Sequence, residues 1–187
     1  MTNHHQRRDW VLTSLFLIMS LSSFVWIEPS PFDLFLCLFI LAGCVFSFYG
    51  FHSIIILPFF LLLFFLLANL LSAFFAKNEG VAFFYFFISF YLVLSWLSIV
   101  GTSFRYKSKV IETIFNGYVI AAVISVLIGV FAYFFRSPFT ESFLQFERIK
   151  SLFKDPNVFG PFVVPAAIYT LYKAETTSLL KKLVYLI

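Results

Sequence analysis

The chain has 187 residues, of which 61% are hydrophobic, 22% aromatic and 12% charged, a balance far outside that of water-soluble domains. A formal net charge of +4 comes largely from basic residues beside apolar runs, which a membrane topology explains without any nucleic-acid partner. What remains is an integral membrane protein.

The apolar runs reach about 16 to 23 residues, enough to cross roughly 30 Å of hydrocarbon at 1.5 Å per residue. They are continuous rather than alternating, so helices are expected, since only helices and closed barrels satisfy their backbone groups in lipid. The first run follows Arg7 and Arg8 and predicts a helix over 10–27. It lacks a small-residue cleavage site before Glu28-Pro29-Ser30-Pro31, so it reads as an uncleaved anchor. Further helices are predicted over 32–49, 54–76, 81–101, 117–135 and 157–172, and a seventh begins near Leu179. That last run stops after a few apolar residues, short of the roughly 20 a crossing needs, and reads as a helix cut off midway. The expected fold is all-α: a polytopic bundle forming a single transmembrane domain over 1–187, with six complete crossings and the start of a seventh.

Orientation follows from the basic residues of the short connections. With Arg7 and Arg8 on the cytoplasmic side, Arg105, Lys107 and Lys109 fall there too, as do Lys173, Lys181 and Lys182. Glu28, Asp33, the Lys77-Asn78-Glu79-Gly80 turn and the long 136–156 loop are then external. Cys37 and Cys44 share one helix face about 10 Å apart along the axis, too far for a disulfide, and read as packing residues. His4 and His5 lie in the amino-terminal tail and His52 alone in a short turn, so no metal or other cofactor is encoded. Intramembrane charges, the usual mark of an ion-coupled transporter, are missing from the interior of the predicted spans, Asp33 lying at the external end of the second. Asn69 and the serines and threonines read as hydrogen-bonding groups between helices.

Chemistry is therefore expected in the 136–156 loop. Ser137-Pro138 is a helix start, and Phe139, Phe143, Phe146 and Phe153 recur at spacings of four, three and seven. This predicts an amphipathic helix lying at the headgroup boundary, with Arg148 on its polar side. Arg136, Arg148, Lys150 and Lys154 can serve a bound anion or simply meet lipid phosphates. Asp155-Pro156-Asn157 is an N-cap followed by proline, which opens the sixth helix and would attract a phosphate at its positive end. Pro161 and Pro165 remove donors inside that helix.

The pattern Arg148-x4-Phe153-x-Asp155-Pro156-Asn157-x-Phe159-Gly160, at the start of a membrane helix after about five others, resembles the signature segment of the O-antigen ligase and O-antigen polymerase superfamily. Many of those proteins carry glycine where this chain has Ser151. The family has around ten to twelve membrane helices, so the resemblance covers about the first half. It implies a bacterial inner-membrane, metal-independent glycosyltransferase that takes a glycan from undecaprenyl diphosphate, on the periplasmic face, to lipid A core or to a growing polysaccharide. Arg148 matches the arginine thought essential. Arg136, Lys150, Lys154, Asp155 and Asn157 are the accompanying donor-binding candidates. The general base of the family is thought to be a histidine in a later periplasmic loop; Glu147 and Asp155 are the carboxylates nearest to Arg148 here. This chain alone is expected to bind donor weakly and not to turn over. A piece of a polysaccharide transporter or flippase, and a non-catalytic membrane scaffold, stay open as alternatives.

Overall fold

A computed structural model describes residues 2–176. It contains six α-helices: α1 (Thr2–Ser20), α2 (Pro31–Val45), α3 (Ile56–Phe74), α4 (Glu79–Tyr106), α5 (Ser108–Phe134) and α6 (Pro156–Thr176). Short 3-10 turns at Ser53–Ile55 and Thr140–Phe143 and a two-stranded hairpin, β1 (Leu144–Gln145) with β2 (Arg148–Ile149), complete the described residues. The run predicted near Leu179 lies outside them.

The all-α expectation holds, whereas six full crossings are not what the helices support. Three stretches, Ser53–Phe74, α4 and α5, are long and apolar enough to cross a membrane, and α2 is apolar but shorter. α1 begins at Thr2, in the polar Thr2–Asp9 stretch, and ends at Ser20 rather than continuing to residue 27. Its end has a local cause. The hydroxyls of Ser20 and Ser22 donate to the carbonyls of Phe16 (2.8 Å) and Met19 (2.7 Å), and the amides of Leu21 and Ser22 tighten onto Ile18 and Met19, so the serine run unwinds an apolar stretch. α5, expected from residue 117, starts at Ser108. Its polar first turns are satisfied by α6: Glu112 pairs with Lys173, and Asn116 accepts from the Tyr169 hydroxyl at 3.1 Å.

The chain forms two compact units, one of Met1–Phe35 with Val110–Ile187 and one of Leu36–Lys109. In the second, α3 and α4 form an antiparallel pair whose turn is capped by Asn78, which accepts from the Val81 amide at 3.3 Å. α3 buries only Leu66 and Ala73 of its 19 residues, so its phenylalanines and most of its leucines face outward, as lipid rather than water would favour. Asn69 bonds back to the Phe65 carbonyl of its own helix at 2.9 Å instead of to a neighbour. Cys37 and Cys44, expected as packing residues, are exposed. His52 is not isolated: it stacks on Phe104 at 5.9 Å and accepts from the Ile54 amide.

In the first unit the buried face of α5 is built from Val110, Gly117, Ala121, Ala122, Ser125, Gly129 and Ala132. Gly117, Ala121, Ser125 and Gly129 recur every four residues, the small-residue stripe that lets another backbone approach closely. At Gly117 an added Cβ would lie 2.6 Å from the Phe16 carbonyl oxygen and 2.9 Å from Met19 Cβ, so α1 occupies that half of the stripe.

Candidate functional site

The 136–156 segment begins as its sequence suggests. Ser137 and Thr140 cap each other, the Ser137 amide donating to Thr140 Oγ1 at 2.7 Å and the Thr140 amide to Ser137 Oγ at 3.2 Å. The helix then fails after one 3-10 turn, which corrects the amphipathic-helix expectation. Phe143 turns inward against Ala132 and Leu152, with Trp26 edge-on at 5.6 Å, and its carbonyl accepts from both the Lys150 and Ser151 amides at 3.1 and 3.0 Å. That double bond closes the base of the hairpin. Leu144 pairs with Ile149 and Gln145 with Arg148, leaving Phe146 and Glu147 as a two-residue turn with φ of 50° and 63°. Both positive angles match a type I′ turn, normally filled by Asn-Gly, and each costs a non-glycine residue about 1 kcal/mol or more. The four phenylalanines thus do not form one stripe: Phe143 and Phe153 are buried, while Phe139 and Phe146 are 73% and 88% exposed.

The hairpin holds the predicted cations in different ways. At the turn, Arg136 makes a bidentate pair with Glu147, with one leg of 2.9 Å. The Glu147 carboxyl is held below the usual glutamate range, first by that hydrogen bond and then by the Arg136 charge, and the guanidinium is raised in turn. Lys154 pairs with Glu28. Both cations are therefore answered by carboxylates. Lys150 has no side-chain ion pair among the described residues.

Arg148 differs. It is exposed, and its guanidinium donates to the neutral side-chain oxygen of Asn157 at 3.0 Å. Asn157 is in turn held by Asp155, whose carboxylate oxygen accepts the Asn157 amide at 2.7 Å, while the Asp155 carbonyl accepts from Val158 at 3.1 Å. Asp155 is thus the N-cap of α6, with Pro156 in the first helical position. The cap reading and the anion reading coincide in space: Asp155 fixes Asn157, and Asn157 fixes Arg148 at the positive end of a helix.

Of the six candidates, then, Arg148, Asn157 and Asp155 come together, whereas Arg136 and Lys154 are spent on Glu147 and Glu28. Sequence reasoning missed Ser125, Gly129 and Ser151. The Ser151 hydroxyl, in a residue 1% exposed, donates to the Ser125 carbonyl at 2.6 Å. An added Cβ at Gly129 would overlap Ile149 Cγ2 and sit 3.5 Å from Ser151 Cβ. The four-residue spacing in α5 was a signal for such a docking face, although not for what docks. Compared with known proteins, the chain matches no family model, no curated protein and no solved structure.

Proposed function

We propose that the chain is the amino-terminal part of a bacterial inner-membrane glycosyltransferase of the O-antigen ligase and polymerase kind, taking a glycan from undecaprenyl diphosphate. In this reading α1, α2 and α6 join the three longer apolar helices as crossings, the amino terminus is cytoplasmic and the 136–156 loop is periplasmic. The observation that carries it is Arg148: a guanidinium at a helix amino terminus whose structural partner is a neutral amide, so its charge is left for an anion.

The chemistry asked of it is specific. An acceptor hydroxyl oxygen attacks the anomeric carbon, the bond from that carbon to the diphosphate oxygen breaks, and the electron pair leaves with the diphosphate. A planar two-pronged donor fixed beside the departing phosphate stabilises charge that is larger in the transition state than in the bound donor. Asn157 orients the fork, and Lys150 is the remaining point charge nearby in sequence. The hydroxyl proton needs a base; pairing with Arg136 lowers the Glu147 carboxyl and weakens it as a base, and Asp155 is engaged as a cap, so in this reading the proton goes to a group other than these two.

Glycan transfer in membranes from cells producing the native gene product tests this. Arg148→Ala should reduce transfer by about 2 to 4 kcal/mol of transition-state stabilisation, with Arg148→Lys recovering only part because it lacks the fork. Transfer unchanged in Arg148→Ala would remove the assignment and leave a transporter or scaffold as the better account.

A further inference from the structure

The segment after Arg148 runs back along α5 instead of leaving it. Ile149 lies on Gly129, and Ser151 reaches the Ser125 carbonyl. Ser125 is nine residues before the end of α5 at Phe134, about 13 Å of helix rise. Because α5 is long and apolar enough to cross a membrane, these residues fold down beside it to the depth of its apolar portion. Non-helical backbone is tolerated at such depth only when protein satisfies it, and the bonds are supplied. The amides of Lys150 and Ser151 donate to the Phe143 carbonyl, that of Phe153 to Lys150, and the Leu152 carbonyl accepts from Val25 at 3.4 Å. Leu152 and Phe153 are buried. α1 ends at Ser20, and the returning segment covers the part of the α5 stripe that α1 leaves bare.

We infer that 149–153 is a re-entrant seat and that Gly129 and Ser151 are positioning residues, setting the depth at which Arg148 meets a lipid-linked diphosphate. This rests on the donor-binding reading above for its ligand, but not for its geometry. Ile149 directly follows Arg148, so any lift of Ile149 off α5 carries the guanidinium with it. Ser151 has φ of 52°, a left-handed conformation in which the chain turns sharply toward α6, and its hydroxyl fixes that turn to a backbone carbonyl rather than to a replaceable side chain. A methyl group at residue 129 has no room while the isoleucine branch is there. Removing the branch restores room, so the pair is size-complementary.

The test uses the full chain in membranes with Cys37 and Cys44 replaced by alanine and single cysteines introduced as Phe146→Cys or Ser151→Cys. A membrane-impermeant maleimide should label the first and spare the second. Gly129→Ala should make the residue-151 cysteine reactive, and Gly129→Ala with Ile149→Ala should protect it again. In parallel, without the introduced cysteines, binding of undecaprenyl diphosphate in phosphatidylcholine nanodiscs should weaken roughly tenfold in Gly129→Ala, the loss expected for one charge-assisted hydrogen bond, and recover in the double variant. Labelling in the parent of the residue-151 cysteine and also, with the Ser151 hydroxyl kept, of a cysteine introduced as Leu152→Cys at a buried position overturns the seat. Reactive residue 151 with unchanged donor binding overturns the positioning role while leaving the seat. If Gly129→Ala does not fold, Ser151→Ala supplies the same comparison, with weakened binding expected and unchanged binding contrary. If Arg148→Ala binds the lipid as well as the parent, donor recognition fails, and the labelling pattern still decides the seat.

Discussion

Two loops of this protein fold back onto a long helix, and they use the same device for different ends. In one unit, 46–52 lies on the end of α4: the Gly50 amide donates to the Gly101 carbonyl at 2.8 Å, the Tyr49 hydroxyl bridges Ser98 Oγ (2.8 Å) and the Ile40 carbonyl (3.0 Å), and Arg105 holds the Ser47 carbonyl. In the other, 143–153 lies on α5 over Ser125 and Gly129. Each helix offers a serine and a glycine three or four residues apart, and each loop presents a backbone or hydroxyl donor to a helix carbonyl. The first loop turns the Tyr49 hydroxyl inward and is closed by aromatic rings, Phe48 and Tyr49 among them at 5.1 Å. The second turns Arg148 outward. Docking on small residues is therefore a packing solution that any loop beside an apolar helix can use; the outward cation, with its charge unspent, is what separates a presenting loop from a closing one.

The closing loop should be the easier to break. An added Cβ at Gly43 overlaps the Tyr49 ring end, so Gly43→Ala must expel the ring and both hydroxyl bonds. We expect a destabilisation of about 3 kcal/mol, at the upper end of overpacking costs, seen as a lower unfolding midpoint in detergent. Donor binding in the fraction still folded should not change. A loss of donor binding there would erase the distinction between the two loops.

The presenting loop sharpens the comparison through the two serines at its docking point, Ser151 on the loop and Ser125 on α5. Ser151→Ala removes a buried hydrogen bond and should cost about 1 kcal/mol, whereas Ser125→Ala should fall within about 0.5 kcal/mol of the parent. The acceptor is the Ser125 carbonyl, and the buried Ser125 hydroxyl has no partner among the described residues. Equal losses in the same midpoint assay would mean that the side chain of Ser125, not its backbone, receives the loop.

The smallest effect belongs to the turn. The Glu147 carboxyl lies below its ordinary range because of Arg136, so the pair contributes at pH values above that range and the contribution is lost as pH falls through the lowered value. Both groups are solvent-exposed, so only a slight loosening is expected. Proteolysis at Phe146 should be unaffected around neutral pH and rise as pH falls below the ordinary glutamate range. Glu147→Gln should raise it at neutral pH and flatten that dependence.

Much of this was legible in the chain. Continuous apolar runs located all six helices, and Asp155-Pro156 marked the start of α6, because capping and propensity are local. What was not legible depended on partners. The α5 start was set too late because Glu112 and Asn116 look like loop residues until Lys173 and Tyr169 answer them from α6. The helix over the Phe139–Phe153 spacing was wrong because Phe143 finds Ala132 and Leu152, a tertiary gain that outweighs periodicity. Arg148 could be chosen by residue type and place, but that Arg136 and Lys154 are already paired depended on where Glu147 and Glu28 came to lie.

The small-residue stripe of α5 also dictates an order of assembly. Its Gly117 half is covered by Phe16 and Met19, made long before α5 reaches the membrane, and its Gly129 half by Ile149 and Ser151, made directly afterwards. During synthesis α1 must wait for its partner, and α5 then carries an open notch until the following loop emerges. A ribosome pausing between those two halves would hold the nascent chain with one flank sealed and the other exposed to whatever insertion machinery stands beside it.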